Sequence, residues 1–117
     1  MSSKRAEVLV VEDEEGLAEL FEIWLGEHYE VEAVTSGQAA LDRLASGFEA
    51  VVLDWRMPRV SGADILERIQ EEEISCGVAV VTGLDPHVAD IDDHVDFVLR
   101  KPVDRSELVN TVETLVD

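Results

Sequence analysis

Near the start of this 117-residue chain, residues 8 to 14 read Val8-Leu9-Val10-Val11-Glu12-Asp13-Glu14, and this pattern indicates the fold class. Four consecutive apolar residues are typical of a short strand that is buried on both faces of a sheet. Four acidic residues, from Glu12 to Glu15, follow at once, which predicts a charged site where the strand leaves the sheet. The same pattern returns where Ala50 to Leu53 runs into Asp54 and where Val78 to Val81 runs into Thr82. The repeats indicate buried parallel strands whose carboxyl ends carry polar groups.

Helical patterns separate these strands. Apolar residues three and four positions apart predict an amphipathic first helix that ends at Gly26. Its apolar residues are Leu17, Leu20, Phe21, Trp24 and Leu25. Residues that favour helix starts precede three further apolar patterns, the second of which has a capping-box spacing. They are Ser36, Ser61 with Asp64, and Asp104 with Glu107.

The order of these elements predicts the topology. Glu30 to Ala33 alternates in polarity, as a half-exposed edge strand does, and Phe97 to Leu99 supplies a fifth strand. Strands that alternate with helices form a parallel sheet with helices on both faces, through right-handed crossovers. We therefore expect one flavodoxin-like, doubly wound α/β domain over residues 1–117, with strand order 2-1-3-4-5. Leu84 to Asp96 is rich in aspartate, so any helix there should be short and weakly held.

The composition excludes several classes of function. With 27 acidic and nine basic side chains, the formal net charge is −18, so direct binding to nucleic acid is not expected. The apolar runs are far shorter than the roughly 18–20 residues of a membrane span, and no signal peptide is recognisable, so we expect a cytoplasmic protein without membrane contacts. Acid spread along the chain, with two lysines against seven arginines, resembles proteins of salt-loving organisms. At 1 M salt the Debye length is about 3 Å, so repulsion between exposed charges farther apart than that is largely screened.

Charged and polar residues should meet at the carboxyl edge of the sheet. Strand one ends in Glu12-Asp13, strand three in Asp54, strand four in Thr82 and strand five in Lys101. Two like charges about 4 Å apart cost about 4 kcal/mol at an effective dielectric constant near 20, so clustered carboxylates require a cation or raised pKa values. Oxygen ligands favour Mg²⁺. A carboxylate would then act as a nucleophile towards a phosphoryl group.

Four pieces of the sequence carry a specific resemblance. They are Val8 to Glu14, Asp54-Trp55-Arg56-Met57-Pro58 followed by Gly62, Thr82-Gly83, and Lys101-Pro102. Each piece alone is weak, but together, in this order and over nearly the whole chain, they resemble the receiver domain of two-component response regulators.

The resemblance implies a role for each matching residue. Asp54 matches the phosphoacceptor, which takes a phosphoryl group from a sensor histidine kinase or a phosphotransfer protein. Asp13 matches a direct Mg²⁺ ligand, and Glu12 matches its neighbour, which usually reaches the ion through water. Asp54 and the backbone carbonyl of Arg56 would complete the protein's ligands. Phosphorylation would switch the conformation of an output face. The resemblance also implies that the protein catalyses its own phosphorylation and dephosphorylation and does not turn over a separate metabolite as an enzyme would.

Three further positions follow from the same resemblance. Thr82 and Lys101 match the hydroxyl and the ammonium that bind the phosphoryl oxygens, and Gly83 matches a small residue that leaves room for the group. The Lys101–Pro102 bond is often cis in such domains. The output partner stays unknown, and the chain is either a full-length regulator or the input domain of a longer protein with a C-terminal effector.

Two departures from the family pattern concern the output face. The aromatic residue expected three positions before the lysine is replaced by Val98, while Phe97 lies one position earlier. The segment between Thr82 and Lys101 is a few residues shorter than usual and strongly acidic. The identity of the switch residue and the path of the signal are therefore left open by the sequence.

Two other Mg²⁺ or phosphate functions fit the fold class less well. A phosphatase of haloacid-dehalogenase type, which also uses an aspartate nucleophile, is the alternative, but it needs an Asp-x-Asp pair at its first strand, where this chain has Glu12-Asp13. A flavin mononucleotide binder would need a phosphate loop after the first strand, and the acidic residues there would repel the phosphate.

Overall fold

The computed structural model describes residues 5–85, 91 and 94–117. The strands are β1 (Glu7–Val11), β2 (Glu30–Val34), β3 (Ala50–Asp54), β4 (Gly77–Thr82) and β5 (Phe97–Arg100). The helices of the described residues are α1 (Glu15–Gly26), α2 (Gly37–Arg43), α3 (Gly62–Glu71) and α4 (Arg105–Val116), with a 3-10 turn at Leu44–Ser46. All strand pairs are parallel and the order is β2-β1-β3-β4-β5, so the predicted doubly wound α/β topology is confirmed.

The continuous apolar runs are explained by two cores, one on each face of the sheet. Successive side chains of a strand point to opposite faces, so each run supplies both cores. One core packs with α2 and α3 and includes Leu9, Val11, Val51, Leu53, Val80, Ile65 and Ile69. The other packs with α1 and α4 and includes Val8, Val10, Val52, Val81, Phe21, Leu25, Leu108 and Val112. The three central strands, β1, β3 and β4, are buried on both faces, and this packing fixes the positions of the groups at their carboxyl ends.

Side-chain caps set the starts of three helices, as the sequence predicts. Ser36 Oγ accepts a hydrogen bond from the N–H of Ala39 at 3.1 Å, one turn into α2. Ser61 and Asp64 form the predicted capping box at α3, where each side chain accepts a bond from the other residue's N–H. Asp104 caps α4 by accepting from the N–H of Glu107 at 2.8 Å. These bonds satisfy N–H groups that have no partner within the helix.

Two elements differ from their predicted exposure. In α1 the buried residues are Ala18, Phe21 and Leu25, whereas Leu20 is 38% exposed. A helix turns by about 100° per residue, so the inner face that contains Phe21 leaves Leu20 at its margin. β2 lies at the sheet edge as predicted, but beyond the exposed Glu30 its residues are half-buried and do not alternate sharply.

The acidic segment between β4 and β5 includes residues that the structure does not describe. Residues 86–90 and 92–93 of the predicted short helix lie outside the described residues, so that prediction is not tested. Ile91 and Val95 are half-buried and pack against the core that contains α2 and α3. Among the described residues, no helix combines the length and the apolar character that crossing a membrane would require.

Candidate functional site

The sheet brings the predicted site residues to one edge. β1 runs into Glu12 and Asp13, β3 ends at Asp54, β4 ends at Thr82, and Lys101 directly follows β5. Because β1, β3, β4 and β5 are consecutive parallel strands, these residues leave the sheet on the same side. One oxygen from each of the three carboxylates lies within 4.8 Å of the others. Within the described ranges, this is the group of residues placed to hold a metal ion.

Lys101 joins the two buried carboxylates. Its Nζ lies 2.9 Å from Glu12 Oε1 and 3.6 Å from Asp54 Oδ1. Glu12 is 1% exposed and Asp54 is 4% exposed, whereas Asp13 faces solvent. The second oxygen of Glu12 accepts a hydrogen bond from the N–H of Glu14 at 3.1 Å. Glu12 is therefore held from two sides, and the ammonium lies closer to it than to Asp54.

The environment of Asp54 opposes its negative charge. Burial raises the pKa of Asp54 to about 8, with further contributions from its hydrogen bonds to Glu12 and Asp13 and from the charge of Glu12, while the charge of Lys101 lowers it. Burial alone would lower the pKa of Lys101, but the Glu12 hydrogen bond and the surrounding carboxylates outweigh it and raise that pKa. Lys101 thus stays charged, and its charge offsets only part of the effect of burial and of the neighbouring carboxylates on Asp54.

The donor set fits a small hard cation. All three side chains offer carboxylate oxygens, which are the ligands of Mg²⁺ and Ca²⁺, and no thiol or imidazole joins them among the described residues. A divalent ion at this site would offset the like charges of the three carboxylates. Asp13, which is exposed beside two buried carboxylates, leaves an open side for water or a phosphoryl group.

On the side of β3 away from β1, the ends of β4 and β5 bring Thr82 and Lys101 to the site. Thr82 is 2% exposed, and its Oγ1 accepts a hydrogen bond from the N–H of Leu84 at 3.1 Å, so its own hydroxyl hydrogen can be donated elsewhere. The N–H of Lys101 donates to the carbonyl of Thr82 at 2.8 Å. A Cβ at Gly83 would meet no atom within 4 Å, so there is open space beside Thr82. The Lys101–Pro102 bond is cis.

Gly62 has a positional role that the sequence reasoning missed. A Cβ at this position would lie 2.6 Å from the carbonyl oxygen of Asp54 and 2.8 Å from the Cα of Trp55. The N–H of Gly62 also donates to the carbonyl of Trp55 at 3.0 Å. The first turn of α3 therefore packs directly on the backbone of Asp54. The sequence signal was a glycine one residue after a helix-capping serine, and its reason is a distance that only the fold sets.

The structure assigns the faces of Val98 and Phe97. Val98 pairs with Val80, and Arg100 pairs with Thr82, so Val98 lies on the Thr82 face of the sheet. Phe97 pairs with Ala79 and lies on the opposite face with Leu99, at 38% exposure. β5 therefore places an aliphatic residue, and no aromatic one, on the face that Thr82 occupies.

Comparison with known proteins agrees with this geometry. The family model of the response regulator receiver domain matches residues 8–113. A Haloferax volcanii protein, provisionally named a transcriptional regulator, is 44% identical over 110 residues, which cover 93% of this chain and 19% of that protein. The response regulator ArlR of Staphylococcus haemolyticus is 28% identical over 113 residues, which cover 93% of this chain and 52% of that protein.

A solved structure shares both the fold and the sequence pattern. The response regulator protein TrrA of Thermotoga maritima, determined in complex with Mg(2+)-BeF, has a TM-score of 0.82 and 28% identity, and the match covers 93% of this chain and 97% of that one. The present chain spans about a fifth of its Haloferax relative and about half of ArlR. The match over residues 8–113, together with this fold, establishes that the chain belongs to the response regulator receiver domains of two-component signalling.

Proposed function

We propose that Asp54 accepts a phosphoryl group from a histidine kinase or a phosphotransfer protein, that the reaction depends on Mg²⁺, and that it switches an output face of the domain. One observation carries this proposal. The Asp54 carboxyl is nearly buried, yet it lies beside two other carboxylates and 3.6 Å from the Lys101 ammonium. The two carboxylates raise the cost of its charge, so a purely structural aspartate has no need of them, and the Lys101 ammonium offsets only part of that cost.

Four groups of this chain would hold Mg²⁺. They are the side chains of Glu12, Asp13 and Asp54 and the backbone carbonyl of Arg56. When bound, the ion supplies positive charge that ionises Asp54 and offsets the negative charge of the phosphoryl oxygens. Because Glu12 is buried, with Oε1 facing the Lys101 ammonium and Oε2 accepting from the Glu14 N–H, whereas Asp13 is exposed, we expect Glu12 to act through water and Asp13 to bind directly.

The chain's own residues perform the transfer. An ionised Asp54 oxygen attacks phosphorus, and the new oxygen–phosphorus bond forms as the phosphorus–nitrogen bond of the phosphohistidine breaks. The imidazole leaves with the electron pair of that bond. Lys101 pairs with one phosphoryl oxygen, and Thr82 donates its hydroxyl hydrogen to another. The same positioned groups make the acyl phosphate subject to attack by water, so we expect self-catalysed loss of the phosphoryl group.

The phosphatase alternative lacks a residue that it needs. An enzyme of haloacid-dehalogenase type requires an Asp-x-Asp pair that contains its nucleophile. In this chain the position two residues after Asp54 is Arg56, whose side chain is exposed. We therefore favour an acceptor that holds its phosphoryl group over an enzyme that turns over a separate phosphate ester.

The proposal is tested by intact mass after incubation with MgCl₂ and acetyl phosphate, a small phosphodonor. We expect the parent to gain about 80 Da, which is one phosphoryl group, and Asp54→Asn to gain nothing. Asp42→Asn is the matched control, since Asp42 is an exposed aspartate on α2, and it should behave as the parent does. An adduct on Asp54→Asn, no adduct on the parent with Mg²⁺, or an equal adduct on the parent without Mg²⁺ would contradict the proposal.

A further inference from the structure

Asp96 directly precedes β5, at the amino ends of the strands and therefore at the opposite end of the sheet from the site. It forms hydrogen bonds with both backbone groups of one residue on β4. Its N–H donates to the carbonyl of Val78 at 2.9 Å, and its Oδ2 accepts from the N–H of Val78 at 2.8 Å. In a parallel ladder a backbone carbonyl of the neighbouring strand would accept that second bond. The Asp96 carboxylate takes its place, so this side chain closes the β4–β5 ladder where β5 begins.

The strand that Asp96 starts is short and lies at the sheet edge. β5 spans Phe97–Arg100 and has β4 as its neighbour in the sheet. Its register with β4 runs from Ala79–Phe97 to Thr82–Arg100. With so few ladder bonds, each one contributes appreciably to where the strand sits along β4. The bond from Asp96 is therefore a substantial share of what holds β5 in place.

Lys101 is the next residue after this strand. Its N–H bonds the carbonyl of Thr82, and its ammonium reaches Glu12 and Asp54. A shift of β5 along β4 would carry the Lys101 backbone with it and would change the distances from Nζ to both carboxylates. Apolar packing of Leu99 against α1 and α4 also restrains β5, so the expected shift is a fraction of an ångström.

We propose that Asp96 is a positioning residue for Lys101, acting through the register of β5. The inference rests on the proposed function, because the reaction it would tune is phosphoryl transfer to Asp54. Asp96 touches none of the reacting atoms. It holds the start of the strand whose end presents the ammonium.

The experiment compares Asp96→Ala with Asp96→Asn and with Glu22→Ala. Asparagine keeps an oxygen that can accept from Val78, while Glu22→Ala removes one exposed carboxylate of α1 and so matches the change in charge. The rate of phosphoryl gain from acetyl phosphate is followed by intact mass, and Mg²⁺ binding is followed by tryptophan fluorescence. NMR reports the ¹⁵Nζ signal of Lys101 and hydrogen exchange at the Val78 amide. The chain has two lysines, so Lys4→Arg assigns the signal.

We expect Asp96→Ala to slow phosphoryl gain roughly threefold to tenfold, less than the ~100-fold that ~1 Å of misplacement can cost. Its Mg²⁺ affinity should match that of the parent, because Glu12 and Asp13 are untouched. The Lys101 ¹⁵Nζ signal should move, exchange at Val78 should accelerate, and Asp96→Asn should restore most of the rate. In a Lys101→Met background, Asp96→Ala should have no further effect.

Several results would overturn the inference. Asp96→Ala could react as fast as Glu22→Ala, Asp96→Asn could be as slow as Asp96→Ala, or the Lys101→Met background could retain the slowing. If the parent gains no phosphoryl group, the proposed function fails by itself. The Lys101 ¹⁵Nζ signal then still decides the positioning role, and an unchanged signal in Asp96→Ala would overturn it.

Discussion

Two ion pairs of this molecule have similar lengths and opposite surroundings. Lys101 Nζ lies 2.9 Å from Glu12 Oε1 at the site, and Arg68 Nε lies 3.3 Å from Glu72 Oε2, four residues later and just past the end of α3. The Glu12 side chain is 1% exposed and the Glu72 side chain is 50% exposed. Water screens the second pair, which is therefore worth at most a few tenths of a kcal/mol. The comparison teaches that burial, and not the contact distance, gives an ion pair control over its neighbours.

The largest expected effect breaks the buried pair. In Lys101→Met, Glu12 and Asp54 lose their shared cation, and under the proposed function a phosphoryl oxygen would lose its partner. We expect phosphoryl gain to slow by about 100-fold or more, as for the loss of one hydrogen-bond donor to a developing oxyanion in other active sites. Arg68→Met, which breaks the exposed pair, should leave the rate unchanged. Mass spectrometry of timed samples measures both, and equal rates in the two variants would show that burial confers no special role on Lys101.

The second effect concerns the dependence of stability on pH in metal-free buffer. The pKa of Asp54 is raised from 3.8 in the unfolded chain to about 8, so between these values the folded protein keeps a proton that the unfolded chain releases. This contribution to stability is fully present below pH 3.8 and is lost as the pH rises through about 8. The slope from one such group is at most about 1.4 kcal/mol per pH unit.

Two matched variants separate the contribution of Asp54 to this slope from the contributions of the other acidic residues. In urea unfolding at several pH values, Asp54→Asn should flatten the fall in unfolding free energy between pH 5 and 8 and be more stable than the parent at pH 8. Asp42→Asn, at an exposed aspartate, should keep the parent's slope. If the unfolding free energies of the parent and Asp54→Asn changed in parallel with pH, burial would not oppose the charge of Asp54.

The third effect extends the comparison to glycines. Gly62→Ala should destabilise the protein by about 1–3 kcal/mol, since its Cβ would overlap the backbone of Asp54 and Trp55. Gly16→Ala in α1 meets no atom within 4 Å and should stabilise by about 0.5–1 kcal/mol, because alanine favours a helix. Thermal unfolding measures both. If Gly62→Ala were as stable as the parent and accepted the phosphoryl group at the parental rate, α3 would not pack closely on the site.

The smallest expected effect concerns the exposed charges as a whole. A net charge of −18 destabilises the compact state through self-repulsion, which molar salt screens. We expect the thermal midpoint to rise by roughly 4 °C between dilute buffer and 2 M KCl, which corresponds to about 1 kcal/mol for a domain of this size. An unchanged midpoint would contradict the salt-adapted interpretation of the composition. The Lys101–Glu12 pair, being buried, should persist in both.

The sequence predicted the features that follow from periodicity. Buried strands and their polar ends alternate visibly along the chain, so the strand order and the meeting of Glu12, Asp13, Asp54, Thr82 and Lys101 could be inferred before the structure. The three side-chain caps could be inferred because capping acts over only three residues.

What the sequence could not predict depends on distances between separate elements. The preference of Lys101 for Glu12 over Asp54 is a difference of less than 1 Å between two contacts. The overlap that excludes a side chain at Gly62 and the closure of the ladder by Asp96 likewise arise only when β3 meets α3 and β4 meets β5. The exposure of Leu20 depends on how α1 is rotated against the sheet.

The most direct test of the account measures the coupling between Mg²⁺ and the proton of Asp54. Calorimetric titration of MgCl₂ at pH 7, in two buffers of different ionisation enthalpy, counts the protons released on binding. We predict one Mg²⁺ site and close to one proton released in the parent and in Asp42→Asn, none released in Asp54→Asn, and binding at least about tenfold weaker in Asp13→Asn. Parental Mg²⁺ affinity in Asp13→Asn, or binding to the parent without proton release, would contradict the account.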